Sequence, residues 1–535
     1  MDIVFLPLAT SLGVSIDQVK LIFCLLVSYP LGSVFIRIPT SKPTMKHLFN
    51  IAISLFYFLP VLNLWSGTLQ LLVSVLGTYF LAAKIKRGRM PWIVFAFVMG
   101  HLTANHVIRT FRNQSYETFE ITGPQMVLTM KLTTFAWNVW DSRRPVEELD
   151  QWQREKRVLQ YPSLVEFLGY SLYFPSVLVG PYLEYADYVA LIDGTIYKKP
   201  VVDKNRRLVP HGRKRVAYRK MVIGLALLGI YVTGISTFSY SATAQEWFKT
   251  KSFLYRFLFF QISGLFERTK YYAVWTLTEG AAILTGFGFS GYTSSGGTRW
   301  EGAANVNVWF IEFAPNMKVL LDNWNMKANI WLRECVYKRV TPKGKKPGFR
   351  SSMITFATSA FWHGISGGYY LTFVTGGFMQ TAGRLCRAYL RPLFLPPTYV
   401  ASRTAPPPPQ TPLKRLYDLA GIVCTTLMLN YAGAPFMLLT MHDSLAGWSA
   451  LQWYGHWMIG GALLFFYSGG RRLLKEAQVA RVKKAGLYVE KNIADRTRDD
   501  SKAVPILPPV GDAVREMETE FERLMDDVMS PKEDI

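Results

Sequence analysis

The stretch SSMITFATSAFWHGISGGYYLTF (351–373) is largely apolar, and a single histidine, His363, interrupts it. About 20 helical residues cross the hydrocarbon core of a bilayer, so this stretch predicts a membrane-embedded helix. An ionisable side chain inside a membrane is rare and costly, which makes His363 a candidate functional residue. The alternative is a core histidine that hydrogen-bonds to a neighbouring helix. Three glycines favour a functional role because they let another backbone or a flat ligand approach the imidazole; they are Gly364, Gly367 and Gly368.

Apolar stretches of this kind recur along most of the chain. Half of the 535 residues are hydrophobic and 18% are charged, a composition typical of a membrane protein. The predicted spans are 19–36, 48–64, 68–84, 91–107, 123–140, 164–182, 221–240, 252–266, 271–289, 351–365, 368–387, 416–440 and 449–468. Some are short or broken by proline and glycine, and these are expected to be re-entrant or buried. The sequence therefore predicts an all-α, multi-pass transmembrane helical bundle with about 11 crossings.

The charge pattern predicts the orientation of the bundle. Sixty Lys and Arg against 37 Asp and Glu give a net charge of +23, and the basic residues lie in short runs between apolar segments. This pattern is typical of cytosolic loops beside anionic lipid headgroups, so we expect no nucleic-acid partner. The loops 37–46 and 84–89 are then cytosolic. The basic segment 198–220 would be lumenal if 164–182 crossed, so we predict that 164–182 does not cross.

The ends of the chain differ in composition from its middle. No cleavable signal peptide is apparent, and the first span is expected to remain as a signal anchor. We predict a transmembrane domain over residues 1–470 and a cytosolic region over 471–535, made of a basic juxtamembrane helix (471–484) and a flexible acidic tail. The prolines of APPPPQTP (405–412) predict a stiff spacer. The four cysteines show no metal-binding or paired spacing, so neither a disulfide nor a metal is expected.

Two neighbouring segments precede the histidine stretch. LLDNWNMKANIWLRECVYKR (320–339) predicts an amphipathic helix at the membrane interface, with Trp324 and Trp331 on its apolar face and three asparagine amides. A plain interfacial helix is the alternative. KRVTPKGKKPGFR (338–350) has six basic residues and no acid, which suits binding of phosphates. Its candidate phosphate-binding residues are Lys343, Lys345, Lys346 and Arg350.

A third segment, ERTKYYAVWTLTEGAAILTGFGFSG (267–291), carries aromatic residues and one acid within an apolar span. Its candidates are Tyr271, Tyr272, Trp275 and Glu279. Glu279 is either a functional buried carboxylate or a structural partner of a nearby Arg or Lys. We favour the structural role, because a reaction that uses His363 as its general base needs no second base.

Four of these motifs, in this order along the chain, resemble those of the membrane-bound O-acyltransferase family. They are KYYAVWTLTEG (270–280), NWN followed by WL (323–332), TPKGKKPGFRS (341–351), and SAFWHG followed by GYYLTF (359–373). Within the family, the likeness is to fungal-type lysophospholipid acyltransferases of the endoplasmic reticulum. It extends over residues 120–470.

The resemblance implies roles for particular residues. The histidine of the WHG motif is catalytic in the family and corresponds to His363, and its asparagine partner corresponds to Asn325. Ser366 and Gly367 replace a frequent proline, which leaves the acyl preference open. The family fold encloses a tunnel, which we expect to be lined by Tyr271, Tyr272, Trp275, Glu279, Trp362, Tyr369 and Tyr370. We also expect Trp324 and Trp331 to contact coenzyme A alongside the basic residues of 338–350.

The expected activity is transfer of an acyl chain from acyl-coenzyme A, a co-substrate, to a lysophospholipid, with no further cofactor. Coenzyme A would enter from the cytosol and the lipid would arrive laterally from the membrane. A family member acting on diacylglycerol, a sterol or a protein is the first alternative. A transporter with a midplane histidine is the second, but no internal repeat of apolar segments is visible. The headgroup preference and a homodimer stay open.

Overall fold

A computed structural model describes residues 2–112, 118–197, 209–293, 296–341, 348–399 and 407–486. These residues are almost entirely helical. Their strands are β1 (Gly291–Tyr292) and β2 (Thr298–Arg299), a short antiparallel pair in which Gly291 lies opposite Arg299. The predicted all-α class is therefore confirmed.

The helices are numbered in chain order. In the first half of the chain they are α1 (Asp2–Leu12), α2 (Ile16–Phe35), α3 (Pro43–Phe56), α4 (Trp65–Lys84), α5 (Met90–Phe111), α6 (Thr122–Asp141), α7 (Gln151–Lys156), α8 (Leu164–Ser171), α9 (Tyr185–Asp193), α10 (Arg213–Ile235) and α11 (Glu246–Lys249). In the second half they are α12 (Phe253–Leu284), α13 (Val308–Glu312), α14 (Met317–Asn323), α15 (Met326–Leu332), α16 (Phe349–His363), α17 (Gly367–Leu385), α18 (Pro412–Leu438), α19 (Met441–Ala450), α20 (Tyr454–Phe465) and α21 (Arg471–Lys484).

Short helical segments of two kinds lie between these helices or at their ends. Wide, π-helical turns lie at Tyr57–Val61, Arg333–Tyr337, Cys386–Leu390 and Phe466–Gly470, the last of them kinked at Gly469. Tight 3₁₀ turns lie at Val146–Glu148, Thr195–Tyr197, Tyr240–Ala244, Glu301–Ala303 and Arg391–Phe394. Wide turns are rare in helices and frequent at functional sites.

Several helices are suited to crossing a membrane. Within the described ranges, six helical segments are long and apolar enough to do so: Ile16–Phe35, Pro43–Val61, Trp65–Lys84, Met90–Phe111, Arg213–Ala244 and Pro412–Leu438. Each overlaps a predicted span, and the protein is a multi-pass membrane protein. The number of crossings stays a prediction.

One predicted break is wrong. The spans 252–266 and 271–289 are parts of the single helix α12, which has 32 residues and is about 48 Å long at 1.5 Å per residue. The charged residues between the spans suggested a loop. Glu267 and Arg268 are instead buried within the helix, and Glu267 Oε1 accepts a hydrogen bond from Ser239 Oγ at 3.2 Å. Glu, Arg and Lys are good helix formers, so these charges do not end the helix.

One further predicted span is broken, and the segment 164–182, which was predicted not to cross, is helical only in part. The span 449–468 divides between α19 and α20 because Gln452 and Trp453 adopt positive φ values of 51° and 57°, which a continuing helix excludes. In 164–182 only α8 is helical, and its eight residues are too short to cross about 30 Å of hydrocarbon.

The helices form two units, and the first contains the residues up to Ser236, Arg268–Val306 and Phe361–Ile365. Its core includes a fully buried lysine, Lys131 of α6, whose Nζ donates to the carbonyl oxygens of Tyr170 and Ser171 at 3.0 and 3.3 Å. These carbonyls lie at the end of α8, where a helix favours a positive charge. Lys131 thus stabilises the point at which α8 stops.

The second unit contains Thr237–Glu267, Asn307–Ala360 and the residues from Ser366 onwards. Its main contact joins the start of α17 to the end of α18. The backbone N–H of Gly368 donates to the carbonyl oxygen of Leu439 at 2.7 Å, and a Cβ atom at position 368 would collide with backbone carbonyls. Glycine is required at this position because it lets the two backbones touch.

Candidate active site

His363 is the last residue of α16. The following residue, Gly364, has a φ of +133°, and its N–H donates to the carbonyl oxygen of Phe361 at 3.2 Å. Glycine adopts such a conformation without the steric cost of a side chain. The helix therefore ends directly after the imidazole, and its last carbonyl groups need partners from elsewhere.

Trp362 anchors this helix end, and two of its hydrogen bonds lie within the first unit. Its carbonyl oxygen accepts a hydrogen bond from His106 Nε2 of α5 at 3.3 Å. Its indole Nε1 donates to the carbonyl oxygen of Met126 in α6 at 3.0 Å. Trp362 is buried, and its ring centroid lies 4.6 Å from that of His363. The residue adjoining His363 is thus held through both its backbone and its side chain.

The two helices that hold Trp362 are also joined to each other, by the residues that directly precede His106 and Met126. Asn105 Nδ2 of α5 donates to Gln125 Oε1 of α6 at 2.7 Å, and both side chains are buried. This hydrogen bond joins α5 to α6 inside the core, so it contributes to the register of the two helices. The position of His106 relative to Met126 follows from that register.

His106 was not among the candidate residues predicted from the sequence. The signal was present, because His106 is an ionisable residue at the end of the predicted span 91–107, and such a residue is a functional candidate by default. Its partner could not be identified from the sequence, since the hydrogen bond joins residues that are 256 positions apart.

Asn325 lies in the second unit, at a sharp break between α14 and α15. Its φ of +44° and ψ of 55° place it in the left-handed region, which asparagine tolerates better than most residues. The predicted continuous helix over 320–339 is therefore wrong. The segment forms α14, α15 and the wide turn Arg333–Tyr337, and the left-handed residue prevents one helix from continuing into the next.

The three asparagines of this segment differ in their contacts. Asn323 Nδ2 donates to the carbonyl oxygen of Val319 at 2.9 Å, and Asn329 Nδ2 donates to that of Leu321 at 2.6 Å. The Asn325 amide makes no side-chain hydrogen bond to any residue that the structure describes. Asn323 and Asn329 therefore stabilise the backbone, whereas the Asn325 amide is available to another group.

The candidate coenzyme A residues are only partly described. Lys343, Lys345 and Lys346 lie outside the described residues, and Arg350 is exposed in the first turn of α16. Trp324 is partly buried at the end of α14, and Trp331 of α15 is fully buried.

The candidate tunnel residues are divided between the two units. In the first, Tyr272, Trp275 and Glu279 of α12 are buried, and the ring centroids of Tyr271 and Trp275 lie 5.6 Å apart. Glu279 Oε1 forms an ion pair with Lys220 Nζ of α10 at 2.9 Å.

In the second unit, Tyr369 of α17 is mostly buried, and its ring centroid lies 4.8 Å from that of Phe436 in α18. The neighbouring Tyr370 is 36% exposed. The two tyrosines therefore differ in environment, and Tyr370 has the more accessible ring.

The fold and this site define a multi-pass helical membrane protein with a candidate catalytic histidine. A family model described as "MBOAT, membrane-bound O-acyltransferase family" matches residues 106–433. The chain belongs to the membrane-bound O-acyltransferase family, as its motifs predicted.

Individual relatives match over most of their length. The chain is 40% identical to a lysophospholipid acyltransferase of Schizosaccharomyces pombe, covering 90% of this chain and 92% of the relative. It is 38% identical to a lysophospholipid acyltransferase of Saccharomyces cerevisiae, covering 87% and 76%. Membrane-bound glycerophospholipid O-acyltransferase 2 of Homo sapiens is 31% identical, and the match covers 84% of each chain.

Proposed function

We propose that this protein transfers a fatty acyl chain from acyl-coenzyme A to the free glycerol hydroxyl of a lysophospholipid. The observation that carries this proposal is the identity of 40% and 38% to two fungal lysophospholipid acyltransferases over most of both chains. The long apolar helices fit a reaction whose acceptor and product are membrane lipids. The endoplasmic reticulum, with residues 471–535 in the cytosol, is the proposed location.

In the proposed mechanism, neutral His363 is the general base. It takes the proton of the glycerol hydroxyl as that oxygen attacks the thioester carbonyl. The new ester C–O bond forms, the C–S bond breaks, and the proton passes to the departing thiolate of coenzyme A. The anchor at Trp362 supports this role, because a base must be held in position to act.

Asn325 is proposed to donate a hydrogen bond to the oxyanion that develops on the thioester carbonyl. The Asn325 amide makes no side-chain hydrogen bond to a described residue, so it can donate to a substrate, which supports this role. No covalent acyl-enzyme is needed, since the lipid hydroxyl attacks the thioester directly.

An acceptor panel tests the proposed substrate class. Purified protein would receive labelled acyl-coenzyme A with lysophosphatidylcholine, other lysophospholipids, diacylglycerol or cholesterol at matched concentrations in the same detergent. We expect labelled product with lysophospholipids at rates well above those with the other acceptors. Faster product formation with diacylglycerol or cholesterol would contradict the proposed acceptor.

His106 provides a prediction about positioning. His106→Leu removes the donor to the Trp362 carbonyl, and we expect kcat to fall about 10- to 100-fold because small misplacements of catalytic groups cost this much. The KM values should change little. His106→Gln keeps a side-chain N–H and should recover most of kcat. A purely structural role would instead lower the unfolding temperature of both variants and leave the kcat of the remaining folded protein unchanged.

The basic loop provides a prediction about coenzyme A. Changing Lys343, Lys345, Lys346 and Arg350 together to glutamine should raise the KM for acyl-coenzyme A far more than the KM for the lysophospholipid, because coenzyme A carries several phosphate charges. The matched control removes four exposed basic residues from the predicted cytosolic loop 84–89, namely Lys84, Lys86, Arg87 and Arg89. Equal effects of the two quadruple variants, or equal effects on the two substrates, would count against the assignment.

A further inference from the structure

Two arginines of the second unit lie at the ends of neighbouring helical segments. Arg384 is in the last turn of α17, just before the wide turn Cys386–Leu390, and Arg471 is the first residue of α21, just after the kinked turn Phe466–Gly470. We call them the arginine pair. Irregular turns adjoin both residues, and such turns are frequent at functional sites.

The backbone segments that carry the pair are packed firmly together. Leu385, which follows Arg384, forms a small buried hydrophobic cluster with Phe466 and with Leu474 of α21. Gln478 Nε2 of α21 donates to the carbonyl oxygen of Tyr389 at 2.5 Å, and the rings of Tyr389 and Phe466 lie 6.1 Å apart. The relative position of the two arginine backbones is therefore fixed by packing and by a hydrogen bond.

Tyrosines surround the arginine pair. The guanidinium carbon of Arg471 lies 4.1 Å from the ring centroid of Tyr467 and 6.0 Å from that of Tyr389. Arg384 interacts electrostatically with Arg471 and with the hydroxyl groups of Tyr337 and Tyr467. The two positive charges thus repel each other, and aromatic rings lie against Arg471.

Neither charge is neutralised by the residues that the structure describes. Among these, Arg384 and Arg471 make no hydrogen bond or ion pair, and Arg471 Nε is buried without a partner. The buried carboxylate of Glu334, three residues before Tyr337, pairs with other cations. Glu334 contacts Arg333 and Lys338 at 2.9 and 2.5 Å.

Like charges held together in a partly buried place disfavour their own ionisation, and arginine does not lose its proton in proteins. An anion between the two guanidinium groups would relieve this repulsion. The planar donor fork of arginine matches phosphate, to which it donates two parallel hydrogen bonds. A tyrosine hydroxyl can add a third.

We propose that the arginine pair binds a phosphate-bearing anion. Two sources share this chemistry: the headgroup of an anionic phospholipid and the phosphates of coenzyme A. The pair lies where the last predicted span, 449–468, passes into the basic helix α21, a place that both sources reach at a membrane surface. The lipid source is independent of the proposed acyl transfer, whereas the coenzyme A source rests on it.

Binding measurements on the purified full-length chain test the site without turnover. The probes are dioctanoyl phosphatidic acid and free coenzyme A, with zwitterionic dioctanoyl phosphatidylcholine as the reference. The variant is Arg384→Gln with Arg471→Gln. The matched control is Arg472→Gln, which removes an adjacent arginine that is exposed and paired with Glu476 at 2.8 Å.

We expect the double variant to lose about tenfold or more in affinity for one of the two anionic probes, as loss of charge-assisted hydrogen bonds predicts. Arg472→Gln should bind both probes like the unmodified chain. Weaker binding of phosphatidic acid identifies a lipid site, and weaker binding of coenzyme A identifies a site for its phosphates.

Unchanged affinity for both anions, or an equal loss with Arg472→Gln, would overturn the proposal. If the double variant does not fold, the alternative is Arg384→Lys with Arg471→Lys, which keeps both positive charges but removes the planar guanidinium groups. This variant should show a smaller loss of affinity for the same probe. Wild-type acyl transfer is measured separately, so a failure of this site and a failure of the proposed function are distinguishable.

Discussion

Replacing His363 by alanine is expected to lower acyl transfer by about 10²- to 10⁴-fold, the contribution of a positioned general base. The variant should still insert into the membrane, because a small apolar residue replaces a polar one within an apolar stretch. Turnover is measured with purified protein, labelled acyl-coenzyme A and lysophosphatidylcholine, at protein amounts matched by quantification of the folded fraction.

The chain offers a matched control for this substitution. His101 of α5 is another histidine in an apolar helix, and its Nδ1 hydrogen-bonds with Ser74 Oγ at 2.8 Å. His101→Ala should keep most of the turnover. A His363→Ala protein with near-normal turnover would show that another group is the base.

The second large effect is expected at Asn325. Asn325→Ala and Asn325→Asp should both lower kcat by about 10²- to 10³-fold, the usual loss when one oxyanion donor is removed. An ionised carboxylate cannot donate and would repel the developing charge. The KM values should change less, because the contact is made in the transition state.

The backbone at Asn325 requires its own control. Alanine is disfavoured at the φ of +44°, so Asn325→Ala alone would confuse strain with loss of the amide. Asn325→Gly accepts this conformation and removes only the amide, and it should lose kcat as the alanine variant does. A glycine variant with wild-type kcat would assign the role of Asn325 to the backbone.

The neighbouring asparagines separate stability from catalysis. Asn323→Ala and Asn329→Ala each remove a hydrogen bond to a backbone carbonyl. They should destabilise the protein by about 0.5–1.5 kcal/mol each, the net value of such a bond. Their kcat per folded molecule should be close to normal. A large kcat loss at Asn323 or Asn329, with Asn325→Ala unaffected, would contradict the choice of Asn325.

Apolar length predicted most of the long helices correctly. The predicted spans 19–36 and 68–84 correspond to α2 (Ile16–Phe35) and α4 (Trp65–Lys84), and the basic helix was predicted with the bounds of α21 (Arg471–Lys484). These elements are defined locally, since a long apolar run or a charged run ends where its composition changes.

The errors occurred where a contact distant in sequence or a single backbone angle decides the structure. The buried Glu267 accepts a hydrogen bond from Ser239 inside the continuous helix α12, and the left-handed Asn325 interrupts the segment 320–339. Composition contains neither kind of information. The motifs supplied His363 and Asn325 as candidates, but the anchor from His106 to Trp362 required the structure.

The chain is expected to move an acyl group from a thioester of coenzyme A to a lysophospholipid hydroxyl. The most direct measurement follows labelled acyl-coenzyme A and free coenzyme A thiol in the same reaction of purified protein. Phospholipid and thiol are expected to appear in equal amounts, and only when lysophospholipid is present. Thiol release without an acceptor, or no labelled phospholipid from an active, folded preparation, would contradict this expectation.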